Sequence, residues 1–98
     1  MTTFEIIGIK RMWRYALYYY LKDLSMFLLY KNSNNLSRSL KSYVRELKQN
    51  VIIGNCYWHN TIYAEKICEL CDFDYVKFLI ACDKIINTPD SVSYFRKL

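Results

Sequence analysis

Glycine, proline and histidine are scarce in this chain: two, one and one among 98 residues. Gly8, Gly54 and Pro89 are the only strong breakers, so irregular and turn-rich folds are excluded and long helices become the default. Long apolar runs are missing as well. The most apolar region, RMWRYALYYYLKDLSMFLLY (11 to 30), is interrupted by Arg14, Lys22 and Asp23, which falls short of the continuous span a membrane helix requires. The first residues lack the basic, apolar and small-residue succession of a secretory signal. No long period repeats, and no segment is of low complexity. Together these absences read as an intracellular, cytoplasmic protein without a membrane span. A helix lying in the plane of a membrane over residues 11 to 30 is the remote alternative. Four cysteines in such a setting predict reduced thiols and no disulfide framework.

Hydrophobic residues make up 53% of the chain and charged residues 23%, enough apolar material for one packed core and a single domain over residues 1–98. The abundance of Ile, Lys, Asn, Tyr and Phe matches A/T-rich codons, as in many viruses, phages and mobile elements. Charge is unevenly distributed. Residues 1–50 carry nine basic and three acidic side chains, whereas residues 51–98 carry five and six, so the net +5 resides in the first half.

The spacing predicts a first helix from about residue 11 to 31, with Trp13, Ala16, Leu17, Tyr20, Leu21, Leu24, Phe27 and Leu28 on one side. The polar segment KNSNN (31 to 35) offers Asn34 or Asn35 as a cap for a second helix over about 36 to 49. That helix has Leu36, Leu40, Tyr43, Val44 and Leu47 on its apolar face. VIIGN (51 to 55) reads as a buried connection, with a single strand as the alternative. A third helix is expected from Thr61 to Leu70 and a fourth from Tyr75 to Ile86, the latter with Tyr75, Phe78, Leu79, Cys82 and Ile86 inward. Asp72 or Asp74 is expected to cap the fourth helix rather than form a metal or acid-base pair. Thr88, Pro89 and Asp90 suggest the start of a short terminal helix. The fold class expected is all-α, a compact bundle or array of four to five helices.

Within this pattern, ICELCDFDYVKFLIACDKIIN (67 to 87) resembles the helix-turn-helix of an ankyrin repeat. Ile67, Cys68 and Glu69 are placed like the end of the first helix, Asp74, Val76, Lys77, Phe78, Leu79 and Ile80 like the second, and Ile86 and Asn87 like the exit. The resemblance covers about a fifth of the chain. Cys71 and Asp83 stand where the family has turn glycines, no threonine-proline pair opens the segment near Tyr63, and Thr88 and Pro89 come too early to open another. The resemblance implies protein recognition and carries over no catalytic residue.

Three cysteines and the sole histidine form a C-x2-H-x8-C-x2-C array: Cys56, His59, Cys68 and Cys71. These four could in number satisfy a tetrahedral zinc ion and give a zinc-stabilised helical module. The preferred reading is that Cys68, like Cys82, packs as a small apolar residue in a helix, with no cofactor and no metal. A redox role for the C-x-x-C pair is the remaining alternative. His59, ahead of a helix start, is expected to be solvated or to act as a cap. A cysteine-histidine nucleophilic pair lacks a recognisable orienting group, so no enzyme is expected.

The remaining signal is a surface. Arg11, Arg14, Tyr15, Tyr18 and Lys22 fall opposite the core stripe of the first helix, and Arg38, Lys41, Arg45 and Lys48 recur at spacings of 3, 4 and 3 on the second. Interleaved tyrosines and cations can anchor a protein interface or stack on bases while meeting phosphates. The reading preferred here is a protein interaction module, a viral or phage-type regulator or inhibitor docking on a host or cellular protein with an acidic surface. Nucleic-acid binding by the same residues is the chief alternative. A base-reading helix-turn-helix over residues 62 to 85 is disfavoured because its second helix is largely apolar. Exposed tyrosines also point to a homo-oligomer.

Overall fold

The structure, a computed structural model, describes residues 2–31, 33 and 36–88. It begins with a capped helix. The hydroxyl of Thr2 accepts the Glu5 backbone N–H at 3.2 Å, and Glu5 places a negative charge on the first turn, where the helix dipole favours it. Helix α1 therefore runs Thr3–Tyr30, starting well before the residue 11 expected from periodicity. Gly8 does not stop it, because one glycine inside a helix costs only about 1 kcal/mol. The missed signal is the threonine followed three residues later by glutamate.

Helix α2, Arg38–Val51, is capped by Ser37, whose hydroxyl accepts the Leu40 N–H at 3.3 Å. This corrects both the expected start and the expected cap; Asn34 and Asn35 lie outside the described residues. The expected apolar face is covered only toward its C-terminal end: Leu40 and Tyr43 remain 39% and 40% exposed, while Val44 packs against the core and Leu47 and Val51 are buried. VIIGN is not a plain connection. Val51 ends α2, and β1 (Ile52–Ile53) pairs antiparallel with β2 (Cys56–Tyr57), Ile52 opposite Tyr57 and Ile53 opposite Cys56. Gly54, at φ +60° and followed by Asn55, makes the two-residue turn, where glycine in the first central position matches the twist of a hairpin.

One turn of 3-10 helix, Trp58–Asn60, leads to α3 (Ile62–Leu70) and α4 (Tyr75–Asn87). Helix α3 ends with the Phe73 N–H bonded to the Cys68 carbonyl at 2.9 Å and the Asp72 N–H to the Glu69 carbonyl at 3.3 Å. That paired closure requires a left-handed residue, supplied by Asp72 at φ +54°. Asp74 caps α4, accepting from the N–H groups of Val76 and Lys77 at 2.9 and 3.3 Å. Thr88 closes α4; the terminal helix expected from Pro89 and Asp90 lies outside the described residues.

Helix α1 is the axis against which α2, α3 and α4 all pack. Its buried side chains Leu17, Tyr20, Leu24 and Phe27 meet Leu47 and Val51 of α2, Ala64, Cys68 and Cys71 around α3, and Phe78, Cys82 and Ile85 of α4. The all-α array of four helices expected from the sequence is thus observed, with the small hairpin as its only sheet among the described residues. Ala16, assigned inward, is exposed, and Ile85, left out of the α4 stripe, is buried. Asp72 forms an ion pair with Lys10, and the Arg14 Nε–H donates to the Cys71 carbonyl at 3.0 Å. The α3–α4 turn is thereby fixed at the level of residues 10–14. Residues 3–9 of α1, all exposed, extend beyond it.

Leu24→Ala and Phe78→Ala should each destabilise the fold by about 2–5 kcal/mol in urea denaturation, because both side chains are enclosed and would leave cavities. Gly8→Ala should act in the opposite direction. A Cβ there meets nothing within 4 Å, so the gain in helix propensity, about 0.5–1 kcal/mol, should appear as a higher melting temperature.

Candidate functional site

His59 is not solvated: it is 2% exposed, at the point where the 3-10 turn enters the core. The Tyr20 hydroxyl lies 2.6 Å from Nδ1 of His59 and accepts the His59 backbone N–H at 3.3 Å. Which of the two groups donates in the bond between the phenol and the ring is set by the imidazole tautomer. The Tyr57 ring stacks on His59 at 5.3 Å and 13°, and the Tyr75 hydroxyl donates to the His59 carbonyl at 2.7 Å. Burial lowers the His59 pKa, opposed by the charge of Asp83. Burial likewise raises the Tyr20 phenol above its ordinary range. The expectation of a solvated or capping histidine fails because the neighbours that enclose it come from α1, β2 and α4.

The four candidate zinc ligands are not gathered. His59 is engaged by Tyr20, Cys56 is exposed at the hairpin with its thiol directed to the Ile53 carbonyl at 3.5 Å, and Cys68 and Cys71 are buried in the core. No group of three or more His, Cys, Asp or Glu side chains among the described residues is arranged to hold a metal ion. Cys68 and Cys82 are fully enclosed, and burial pushes their thiols up to about 11 and about 12. They stay protonated at neutral pH, which removes the thiolate that nucleophilic or disulfide chemistry requires.

All nine surface residues, Arg11, Arg14, Tyr15, Tyr18, Lys22, Arg38, Lys41, Arg45 and Lys48, are exposed. Arg11 and Tyr15 are brought together in one groove with Met12 and Tyr19. Arg14 is partly committed to the fold through Cys71. The four cations of α2 make no ion pair among the described residues. Sequence reasoning missed the forward continuation of the α1 surface. Phe4 and Ile7, exposed at 87% and 49%, precede Arg11, Tyr15, Tyr18 and Lys22 at spacings of three and four, so the ridge runs most of the helix length.

No protein-family model, curated protein or solved structure matches this chain. No helix among the described residues is long and apolar enough to cross a membrane.

The buried neutral His59 makes stability depend on pH with a defined sign. Its pKa in the unfolded chain is about 6.5 and its folded value is lower, so the unfolded state takes up the proton first. Its contribution is therefore complete above about pH 6.5 and is lost as pH falls through the depressed folded value. The urea midpoint of the wild-type chain should fall between pH 7.5 and 5.5 more than that of His59→Gln, whose curve should lack this component.

Proposed function

We propose that this chain is a small intracellular protein interaction module, a regulator or inhibitor of viral or phage type that docks on a host or cellular protein. The observation that carries the reading is the exposed ridge of α1, on which Phe4, Ile7, Tyr15 and Tyr18 alternate with Arg11 and Lys22. Contiguous exposed apolar surface of this kind marks interaction sites, and aromatic and arginine side chains supply most binding energy at protein interfaces. The cations along the ridge favour a partner with an acidic rim. The ankyrin-like reading of residues 67–87 belongs to the same proposal, and the exposed Phe73, Val76 and Ile80 of that segment would suit a partner or a second copy. Binding rather than catalysis is favoured by a histidine sealed from solvent and by thiols that burial keeps protonated.

The second reading, nucleic-acid binding, draws on the unpaired cations Arg38, Lys41, Arg45 and Lys48. If each neutralised one phosphate of duplex DNA, the slope of log affinity against log salt would be about −3.6, and raising salt from about 50 to 200 mM would weaken binding roughly 100-fold. Affinity capture with and without nuclease, using the wild type, Ile7→Glu/Tyr15→Glu, and the four-fold change of the α2 cations to Gln, separates the two. The proposal expects a protein that survives nuclease and is lost with the α1 variant, whose affinity should fall by about 30-fold or more. Nucleic acid recovered alone, released by the α2 variant and showing the steep salt slope, would defeat it.

A further inference from the structure

A cleft of about 360 Å³ opens where α1, the end of α2, the 3-10 turn and α3 meet. It is lined by the aromatic residues Trp13, Tyr19, Tyr20 and Trp58 together with Asp23 and Asn50. Four elements converge to make it, α3 contributing Ile67, so it is a built concavity rather than the gap between two side chains. Its volume sits at the small end of the range for ligand pockets.

The chemistry of the lining is specific. Tyr20 and Trp58 pack against each other with ring centroids 4.9 Å apart at 51°, which fixes both side chains where they line the cleft, and Tyr19 stands one helical turn before Asp23 on the same face of α1. Asp23 is half-buried, accepts only a long 3.4 Å hydrogen bond from Asn50, and has no cation within ion-pair distance among the described residues. Burial raises its pKa, with the Asn50 bond and the nearby Lys22 charge opposing. A negative group set among π faces without a counter-ion is half of a recognition site: it attracts positive charge, and the rings then stabilise that charge through their quadrupoles.

We propose that this cleft binds an organic ammonium ion, alkylated or quaternary, presented as a free small molecule or at the end of a lysine side chain. A hard inorganic cation is a poor fit, because the rings offer it no oxygen ligands in place of its water. A poorly hydrated alkylammonium loses little on entering and meets ring faces and one carboxylate at once. A neutral group of the same shape would fill the space but leave Asp23 without a partner. The inference is independent of the α1 ridge, whose Phe4, Ile7 and Arg11 take no part in the cleft.

The chain's only two tryptophans, Trp13 and Trp58, both line the cleft, so intrinsic fluorescence reports on it directly. Titrations at matched ionic strength would use choline, its uncharged isostere 3,3-dimethylbutan-1-ol, and a short peptide carrying trimethyllysine. The expected result is a saturable change with at least one of the two cations and none with the alcohol over the same range. Asp23→Asn and Tyr19→Ala, both at solvent-accessible positions, should each weaken the response by about 2- to 30-fold while leaving the melting temperature unchanged. Tighter binding of the peptide assigns the ammonium to a protein partner; tighter binding of choline assigns it to a free solute. An equal response to the alcohol, no saturable response to either cation, or full affinity retained in both variants would overturn the proposal.

Discussion

Tyr20 and His59, distant in sequence, meet inside the protein through two hydrogen bonds, one between the phenol and Nδ1 of the imidazole and one that the phenol oxygen accepts from the His59 backbone N–H. The segment from the hairpin to the start of α3 is a single 3-10 turn whose His59 is buried and bonded to side chains of α1 and α4. A buried polar backbone without partners would cost about 1–3 kcal/mol per group. Tyr20 from α1 and Tyr75 from α4 meet that demand from two sides. The Tyr20 ring also contacts Trp58 and Phe78, so the same side chain satisfies the connector and joins α1 to α4. Among the described residues no buried side-chain nitrogen or oxygen lacks a partner.

Around that polar centre the packing is made close by small residues. Ala64, Cys68, Cys71 and Cys82 are enclosed where α3 and α4 approach α1, and a thiol occupies little more space than a methyl group while adding polarisable contact. The fate of the cysteines follows from this position. Cys68 and Cys82 are held as thiols by burial, and Cys56, the one on the surface, sits at the hairpin away from them. The α3–α4 turn is then fixed from outside by Arg14 and Lys10. This contact lies at the level on α1 beyond which residues 3–9 are exposed.

The boundaries of α3 and α4, and the inward face of α4 apart from Ile85, were legible from the sequence because caps and apolar periodicity are written within a few residues. Asp74 before an apolar run and Phe78 with Cys82 one turn apart leave little freedom. Two local signals were passed over: Thr2 with Glu5, which starts α1 early, and Gly54–Asn55 between two short apolar pairs, which turns the hairpin. How far along α2 the apolar side is covered was harder to read. Leu40 and Tyr43 lie on its apolar side by periodicity, but that side is wider than the contact α1 provides, and the helix buries the Leu47–Val51 end instead.

What the sequence by itself determined is the set of helices and the approximate direction of each apolar stripe, since both depend on residues within a turn or two of one another. What only the tertiary structure decided is which part of each stripe has a neighbour. His59 looks like a surface residue in WHN and is buried because Tyr20, Tyr57 and Tyr75 arrive from elsewhere. Trp13, Tyr19, Asp23, Asn50 and Trp58 share one cleft because four elements converge. Phe4 and Ile7 stay exposed because α1 outruns the helices that pack on it. Helical periodicity is a property of one segment, whereas enclosure is a property of pairs of segments, and the pairing is fixed only when the whole chain has folded.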